Sequence, residues 1–186
     1  MIKIENNRIF IIKILTSNDV VSSIKKELNK ILLVIPELKD IVNFEHCHPH
    51  HHLNVWEHTL IALEFSDNNL NTRLALLLHD IGKPHSYQED GEIRHYMGHP
   101  QKSAEISRRI LERLGFDKDI IWHICEIVRR HDMPLRKSDI INRPALSKSI
   151  FEVQKCDAMA HNPIHNAKRM AYINEIEEIL STFKLN

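Results

Sequence analysis

Leu74-Ala75-Leu76-Leu77-Leu78-His79-Asp80-Ile81-Gly82-Lys83-Pro84 is the stretch on which the reading of this chain turns. From Leu70 to Ile81 the residues are apolar on almost every side, which predicts a central buried helix rather than a surface one. Gly82 and Pro84 predict its end by C-cap chemistry. The last turn of this apolar run carries the doublet His79-Asp80. Positions i−4 and i−3 from Asp80 hold Leu76 and Leu77, so no cation stands there to pair with it. A carboxylate buried alone costs several kcal/mol unless it is paired or bound to a metal.

Outward from this helix, periodicity predicts helices nearly throughout. Val20–Ile35 reads as a helix stopped by Pro36, and Glu37–Phe44 as a shorter one. A polar loop, His46–His52, follows. Asn54 begins the next helix as an N-cap with Glu57 three residues on, and His58 shares its inward stripe with Ile61, Ala62 and Phe65. His85–Gly98 reads as a polar loop placed to act as a lid. Pro100 and Gly115 bracket a helix with His99 at its N-cap. Asp117–Arg130 has Ile120, Ile121, Ile124, Ile127 and Val128 as its core face, and His131 extends that face. In Leu146–Ala160 the i, i+3, i+7 spacing puts Ile150, Val153 and Asp157 on one stripe. Asn162-Pro163 precedes a last amphipathic helix expected to end near Leu185.

Only Gly 4 and Pro 7 occur, too few for a sandwich or barrel with a turn every ~8–12 residues. The expected fold is therefore all-α, a single compact helical domain. In Arg8–Leu15 β-branched residues cluster after Asn6-Asn7. That segment reads as a short amino-terminal β-hairpin arm or as the start of a helix. The expected division is an arm over 1–19 and the domain over 20–186.

The composition narrows the function. A chain of 186 residues suits one domain at a prior of roughly 150 residues each. Lys+Arg 25 and Asp+Glu 25 cancel, and 42% of residues are hydrophobic, which excludes intrinsic disorder and disfavours a nucleic-acid coat. Cys47, Cys125 and Cys156 show no C-x-x-C spacing, so a reducing cytoplasm is expected, without disulfides or a thiolate metal site. No signal peptide is visible, and the longest apolar runs fall far short of the ~18 residues that span a bilayer, so no membrane partner is expected. The unusual count is 14 histidines. Histidine is the commonest metal ligand and titrates near neutral pH.

A single inward histidine on a helix is more often a hydrogen-bonded core residue than a ligand, and a single inward aspartate is more often capping or salt-bridged. The pattern changes the odds. His58, His79, Asp80, His131 and Asp157 all interrupt or end core faces, and imidazoles meeting carboxylates in one interior are best reconciled by a cation.

His58, the doublet in the form His79-Asp80-Ile81-Gly82-Lys83-Pro84, and Asp157 resemble the signature of the HD superfamily of metal-dependent phosphohydrolases. More narrowly, Asn54-Val55-Trp56-Glu57-His58-Thr59-Leu60, Leu74–Pro84 and His95-Tyr96-Met97-Gly98-His99 resemble the HD domain that follows the catalytic head in some bacterial tRNA nucleotidyltransferases, the CCA-adding enzymes. The likeness runs from about Pro36 to Asp157. Nothing before Val20 could hold a nucleotidyltransferase head, so the expectation is a stand-alone HD domain without nucleotide addition.

The resemblance implies that His58, His79, Asp80 and Asp157 hold a first metal, that His99 and His131 add a second, and that Asp80 bridges the two. One or two divalent transition-metal ions are thus expected, from iron, manganese, nickel, cobalt or zinc. It further implies a phosphatase or phosphodiesterase in which a metal-bound hydroxide attacks phosphorus, acting on a small phosphorylated substrate such as a nucleotide or cyclic nucleotide. Lys83 is the candidate phosphate clamp, or else a solvated lysine at a helix end. His95 is placed to contact phosphate or to serve as the acid, and His51 and His52 to line the substrate entrance, although polar loop residues would look the same. His46, His48, His50, His85, His123, His161 and His165 read as surface or loop residues. The alternative function is a non-catalytic RNA-binding or assembly module, using Lys102, Arg108, Arg109 and Arg113 along one helix. The balanced charge gives that reading little long-range attraction.

Overall fold

The computed structural model describes residues 2–182. Helix α1 (Ile2–Leu15) and α2 (Val20–Val34) precede a 3₁₀ turn (Pro36–Leu38) and the short α3 (Lys39–Val42); α4 (Val55–Glu64) and α5 (Leu70–Leu78) follow. A two-stranded hairpin, β1 (Gln88–Asp90) and β2 (Ile93–His95), leads into α6 (His99–Arg113) and α7 (Lys118–Arg130). Helices α8 (Lys137–Asn142), α9 (Pro144–Ala160) and α10 (Ala167–Thr182) complete the described chain. The fold is all-α with one small hairpin. No described helix is long and apolar enough to cross a membrane.

Helix α5 is the axis. Asn69 caps it by accepting from the Thr72 amide, and every residue from Thr72 to Leu78 is buried. It packs against α4, α7 and α9, while α6 lies along α7 and α10 covers α9. One apolar core runs from Ile11 through Leu38, Leu76, Ile124 and Ile150 to Ile176. Asn54 caps α4 as expected, its side chain accepting from the Glu57 amide at 2.8 Å. Phe65, expected inward with His58, is exposed, because α4 stops at Glu64 and Phe65 turns away as its C-cap residue.

The hairpin lies in a different place from the one expected. Arg8–Leu15 belongs to α1, which puts Ile11, Ile14 and Leu15 on one buried face and leaves Ile9 outside. Tertiary packing of that face overrides the β preference of its isoleucines. The buried Arg73 guanidinium then donates to the Leu15 and Ser17 carbonyls, both at 2.8 Å, and so satisfies acceptors left free at the end of α1. The strands fall instead in the segment expected as a polar loop. Gly91-Glu92 forms the tight turn, with Gly91 at φ +62°. Arg94 fastens β2 to the preceding loop: its backbone amide donates to the Cys47 carbonyl and its guanidinium to the Glu45 carbonyl. The last helix is described to Thr182; its expected end near Leu185 lies outside the described residues.

Helix α5 ends at Leu78, earlier than the expected Ile81, so that His79 takes the C-cap place and Gly82 does not. Gly82 has ordinary right-handed angles, and its role is close packing. A Cβ there would sit 2.5 Å from the Ser103 backbone nitrogen and 2.8 Å from the His99 carbonyl, while the Gly82 amide donates to Ser103 Oγ at 2.9 Å. The turn after the His-Asp doublet is thereby pressed onto the first turn of α6. Gly82→Ala is expected to destabilise the fold by about 1–3 kcal/mol by overpacking, read as a lower urea midpoint at unchanged slope.

Candidate metal centre

The histidines are aimed by backbone carbonyls. His79 and His131 each stand at a helix C-cap, where the last carbonyls lack partners, and each ring Nδ1 donates three residues back, to Leu76 O and Val128 O at 2.7 Å. His99 Nδ1 does the same to Tyr96 O at 2.9 Å, and His58 Nδ1 reaches Ala160 O at 3.3 Å. A carbonyl only accepts, so these contacts put a proton on Nδ1 and leave Nε2 facing inward as the nitrogen open to a cation; without one, His58 Nε2 donates to Asp157 Oδ1. Histidine ligands are oriented in this way in metal sites.

Two carboxylates face these nitrogens. Asp157 Oδ1 lies 2.9 Å from His58 Nε2 and 3.5 Å from His79 Nε2. Asp80 Oδ2 lies 3.3 Å from His79 Nε2 and 3.8 Å from His58 Nε2, whereas its Oδ1 faces His99 and His131 at 3.3 and 3.7 Å. The two oxygens of Asp80 thus open onto different histidine pairs. His99 Nε2 and His131 Nε2 are 3.2 Å apart, a contact that two lone pairs tolerate only with a proton or cation between them. His79 Nε2 and both Asp80 oxygens are buried with no hydrogen-bond partner among the described residues. Orphaned buried acceptors are costly, and the donor set is imidazole nitrogen with carboxylate oxygen. A divalent cation fits both facts. The clusters His58–His79–Asp80 and Asp80–His99–His131 each bring their ligand atoms within 4.8 Å of one another.

Two cations of the chain brace the carboxylates. Lys83 Nζ is buried 2.7 Å from Asp80 Oδ2, off the hydrogen-bonding direction, and 3.0 Å from His46 Nε2. It is therefore no solvated lysine, and Asp80 does have a cationic partner, at i+3. Arg169 on α10 donates to Asp157 Oδ2 at 2.7 Å and to Asp132 Oδ1 at 3.1 Å. Burial raises the pKa of both aspartates, but the surrounding positive and hydrogen-bonding groups, His79 and Lys83 at Asp80, His161 and His58 at Asp157, hold each well below the carboxylate range. Burial lowers that of His79, yet Asp80 and Asp157 more than reverse this and raise it to about 10. Burial, then the charges of His79 and His99, lowers His131 to about 4. His46 and His161 are also lowered to about 4, chiefly by burial.

The centre forms the floor of a cavity of about 430 Å³. His95 is exposed on β2 at its rim, and His51 lies on the wall, its ring stacked 3.7 Å from His46. His52, read as lining the entrance, is exposed and does not line the cavity; its side chain faces solvent. Three contributors escaped the sequence reading. His46 and His161, read as surface or loop residues, are buried in the centre, with His161 Nδ1 donating to the Asp157 carbonyl at 2.7 Å. Its i+4 spacing from Asp157 was a usable signal. His46, held by Leu53 O within an irregular loop, and Arg169, on the next helix, offered none.

The HD domain family model matches residues 50–162, more than half of the chain. The chain belongs to the HD domain family. Members of this family are typically metal-dependent phosphohydrolases. Among curated relatives, a CC-adding tRNA nucleotidyltransferase of Thermus thermophilus is 38% identical over 104 residues, covering 52% of this chain and 24% of the relative. An A-adding tRNA nucleotidyltransferase of Deinococcus radiodurans is 28% identical over 149 residues, covering 72% and 34%. A multifunctional CCA protein of an Azoarcus species is 27% identical over 130 residues, covering 68% and 30%. The chain thus spans about a third or less of the length of these relatives. Lys83 lies within the family match, whereas His46 and Arg169 lie outside it.

Two predictions follow from the geometry. Asp80→Ala is expected to lose all bound transition metal while keeping its helical circular dichroism, and His131→Ala to lose only the second equivalent; metal analysis of protein purified without chelators reads both. The second concerns pH in the metal-free protein. His46, His131 and His161 titrate lower folded than their ordinary 6.5, so the unfolded chain takes up protons first and stability falls as pH drops from 6.5 toward 4. His79 titrates higher, so its contribution is complete below 6.5 and is lost as pH rises toward 10. Thermal denaturation in chelator should therefore show a maximum near pH 6.5 with the steeper fall on the acid side.

Proposed function

We propose that this HD domain is a phosphatase or phosphodiesterase acting on a nucleotide or cyclic nucleotide. The observation that carries the reading is the division of Asp80: its two oxygens open onto separate histidine pairs at the floor of one cavity. His58, His79, Asp80 and Asp157 would hold one divalent ion, and His99, His131 and Asp80 a second. Ions bound there would supply Lewis-acid charge at a phosphoryl group and an activated water at neutral pH.

The other residues supply position and charge. Lys83, fixed between Asp80 and His46, presents its ammonium to the cavity and binds a phosphoryl oxygen. Arg169 holds Asp157 Oδ2, which leaves Oδ1 as that residue's free ligand atom. His95 at the rim donates a proton to the leaving oxygen, and His51 lines the approach. Asp80, Asp132 and Asp157 are nearly balanced by Lys83 and Arg169, so divalent ions would make the floor positive and favour a small phosphate anion. The relatives named for tRNA nucleotide addition suggest instead a non-catalytic RNA-contacting module. On α6, however, Arg113 makes a bidentate bridge to Glu37 at 2.6 and 2.7 Å and Lys102 pairs with Glu105 at 3.1 Å, which leaves fewer cations for phosphates.

Metal-replete protein is expected to release phosphate from nucleoside monophosphates or to open 2′,3′-cyclic nucleotides. Asp80→Ala should reduce turnover by about a thousandfold or more and Lys83→Ala by about a hundredfold. Absence of turnover across a broad panel with every candidate metal would overturn the reading, and salt-dependent tRNA binding without turnover would favour the RNA-contacting module.

A further inference from the structure

The cavity above the metal centre does not end at the carboxylates. A second compartment of about 270 Å³ adjoins it and shares His131, Asp132, Lys168 and Arg169 with it. Beyond this junction the character changes. The far wall is Met133, Pro134, Tyr172 and Ile173, from the loop after α7 and from α10. Met133 is 49% exposed, an uncovered thioether on the path leading out of a charged cavity.

The polar groups of the far wall are already committed. Tyr172 Oη accepts from the Leu135 amide at 2.9 Å and donates to Gln154 Oε1 at 2.7 Å. Gln154 Nε2 donates to the Arg130 and Met133 carbonyls at 3.2 and 2.7 Å. The wall therefore offers apolar and polarisable surface without a free side-chain donor or acceptor from these two residues. Its charged groups, Lys168, Arg169 and Asp132, stand at the junction. A ligand that fits both compartments is anionic at the metal end and flat and apolar-faced at the other.

We propose that this second compartment is the nucleobase subsite of the phosphohydrolase, and that it takes purines and pyrimidines alike. The inference rests on the phosphohydrolase reading of the adjoining centre and names what the organic half of its substrate must be. Contact with a thioether and a proline face suits the π-surface that every base has. Base-edge recognition would need unpaired polar groups, and the committed hydrogen bonds of Tyr172 and Gln154 remove them. Little discrimination among bases follows.

Binding of hydrolysis-resistant phosphonate analogues of adenosine 5′-phosphate, cytidine 5′-phosphate and ribose 5-phosphate to metal-loaded protein tests this by calorimetry. The two nucleotide analogues are expected to bind within about threefold of each other, and each about tenfold or more above the ribose analogue, the range of base-stacking contributions. Met133→Ala, which removes the thioether from the wall, should cut this advantage by about threefold or more and leave ribose-analogue affinity within about twofold. Equal affinity of all three analogues in the wild-type protein, or an advantage unchanged in Met133→Ala, would overturn the subsite. Tight nucleotide binding without turnover of any natural substrate would sink the hydrolase reading and leave the subsite standing. Turnover indifferent to the presence of a base would do the reverse.

Discussion

The carboxylate of Asp80 is buried with no hydrogen-bond donor directed at either oxygen, and the arrangement around it follows from how that charge is compensated. Lys83 at i+3 and Arg169 supply two positive charges against the carboxylates of Asp80, Asp132 and Asp157, and four imidazoles converge on the same point. An apolar replacement would be cheaper in stability, since buried ionic groups rarely repay their desolvation. Imidazole nitrogens and carboxylates that converge with this small net charge suit divalent cations. In their absence the proton held by His79 between Asp80 and Asp157 is the nearest substitute, and for that reason its pKa is raised to about 10.

The helices aim the ligands by a means that helix termini provide. The last carbonyls of α5 and α7 have no partners within their helices, and His79 and His131 satisfy them through Nδ1. The same bond that completes the helix end sets the tautomer and points Nε2 at the centre. Helix-end stability and the aim of Nε2 therefore share one interaction, and a substitution at either histidine disturbs both. Gly82 adds the registration between the two histidine pairs. Its missing side chain lets the turn after Asp80 lie against the His99 carbonyl and Ser103, which brings α6 close enough for His99 to reach Asp80 Oδ1.

Legibility in the sequence varied with the range of the interaction. Capping by Asn54, burial of α5, and the inward stripes of α4, α7 and α9 depend on neighbours three or four residues away, and periodicity reports them. The amino-terminal segment misled because its isoleucines favour strands locally, whereas the burial of Ile11 and Leu15 against other helices favours a helix. The hairpin that turns at Gly91-Glu92 was hidden in a polar segment, since its strands expose nearly every residue and so lack an apolar alternation.

The sequence by itself determined an all-helical domain with a buried His-Asp doublet and further inward histidines and an aspartate, because helix periodicity assigns each side chain to a face. Only the tertiary structure decided that these faces meet, that Asp80 shows one oxygen to each histidine pair, and that His46 and Arg169 join them from a loop and from the last helix. The physical reason is range. Capping and amphipathicity act within a turn or two of the chain, whereas the hydrogen bonds and ion pairs that complete the centre close across 12 to 99 residues, and no local pattern records them.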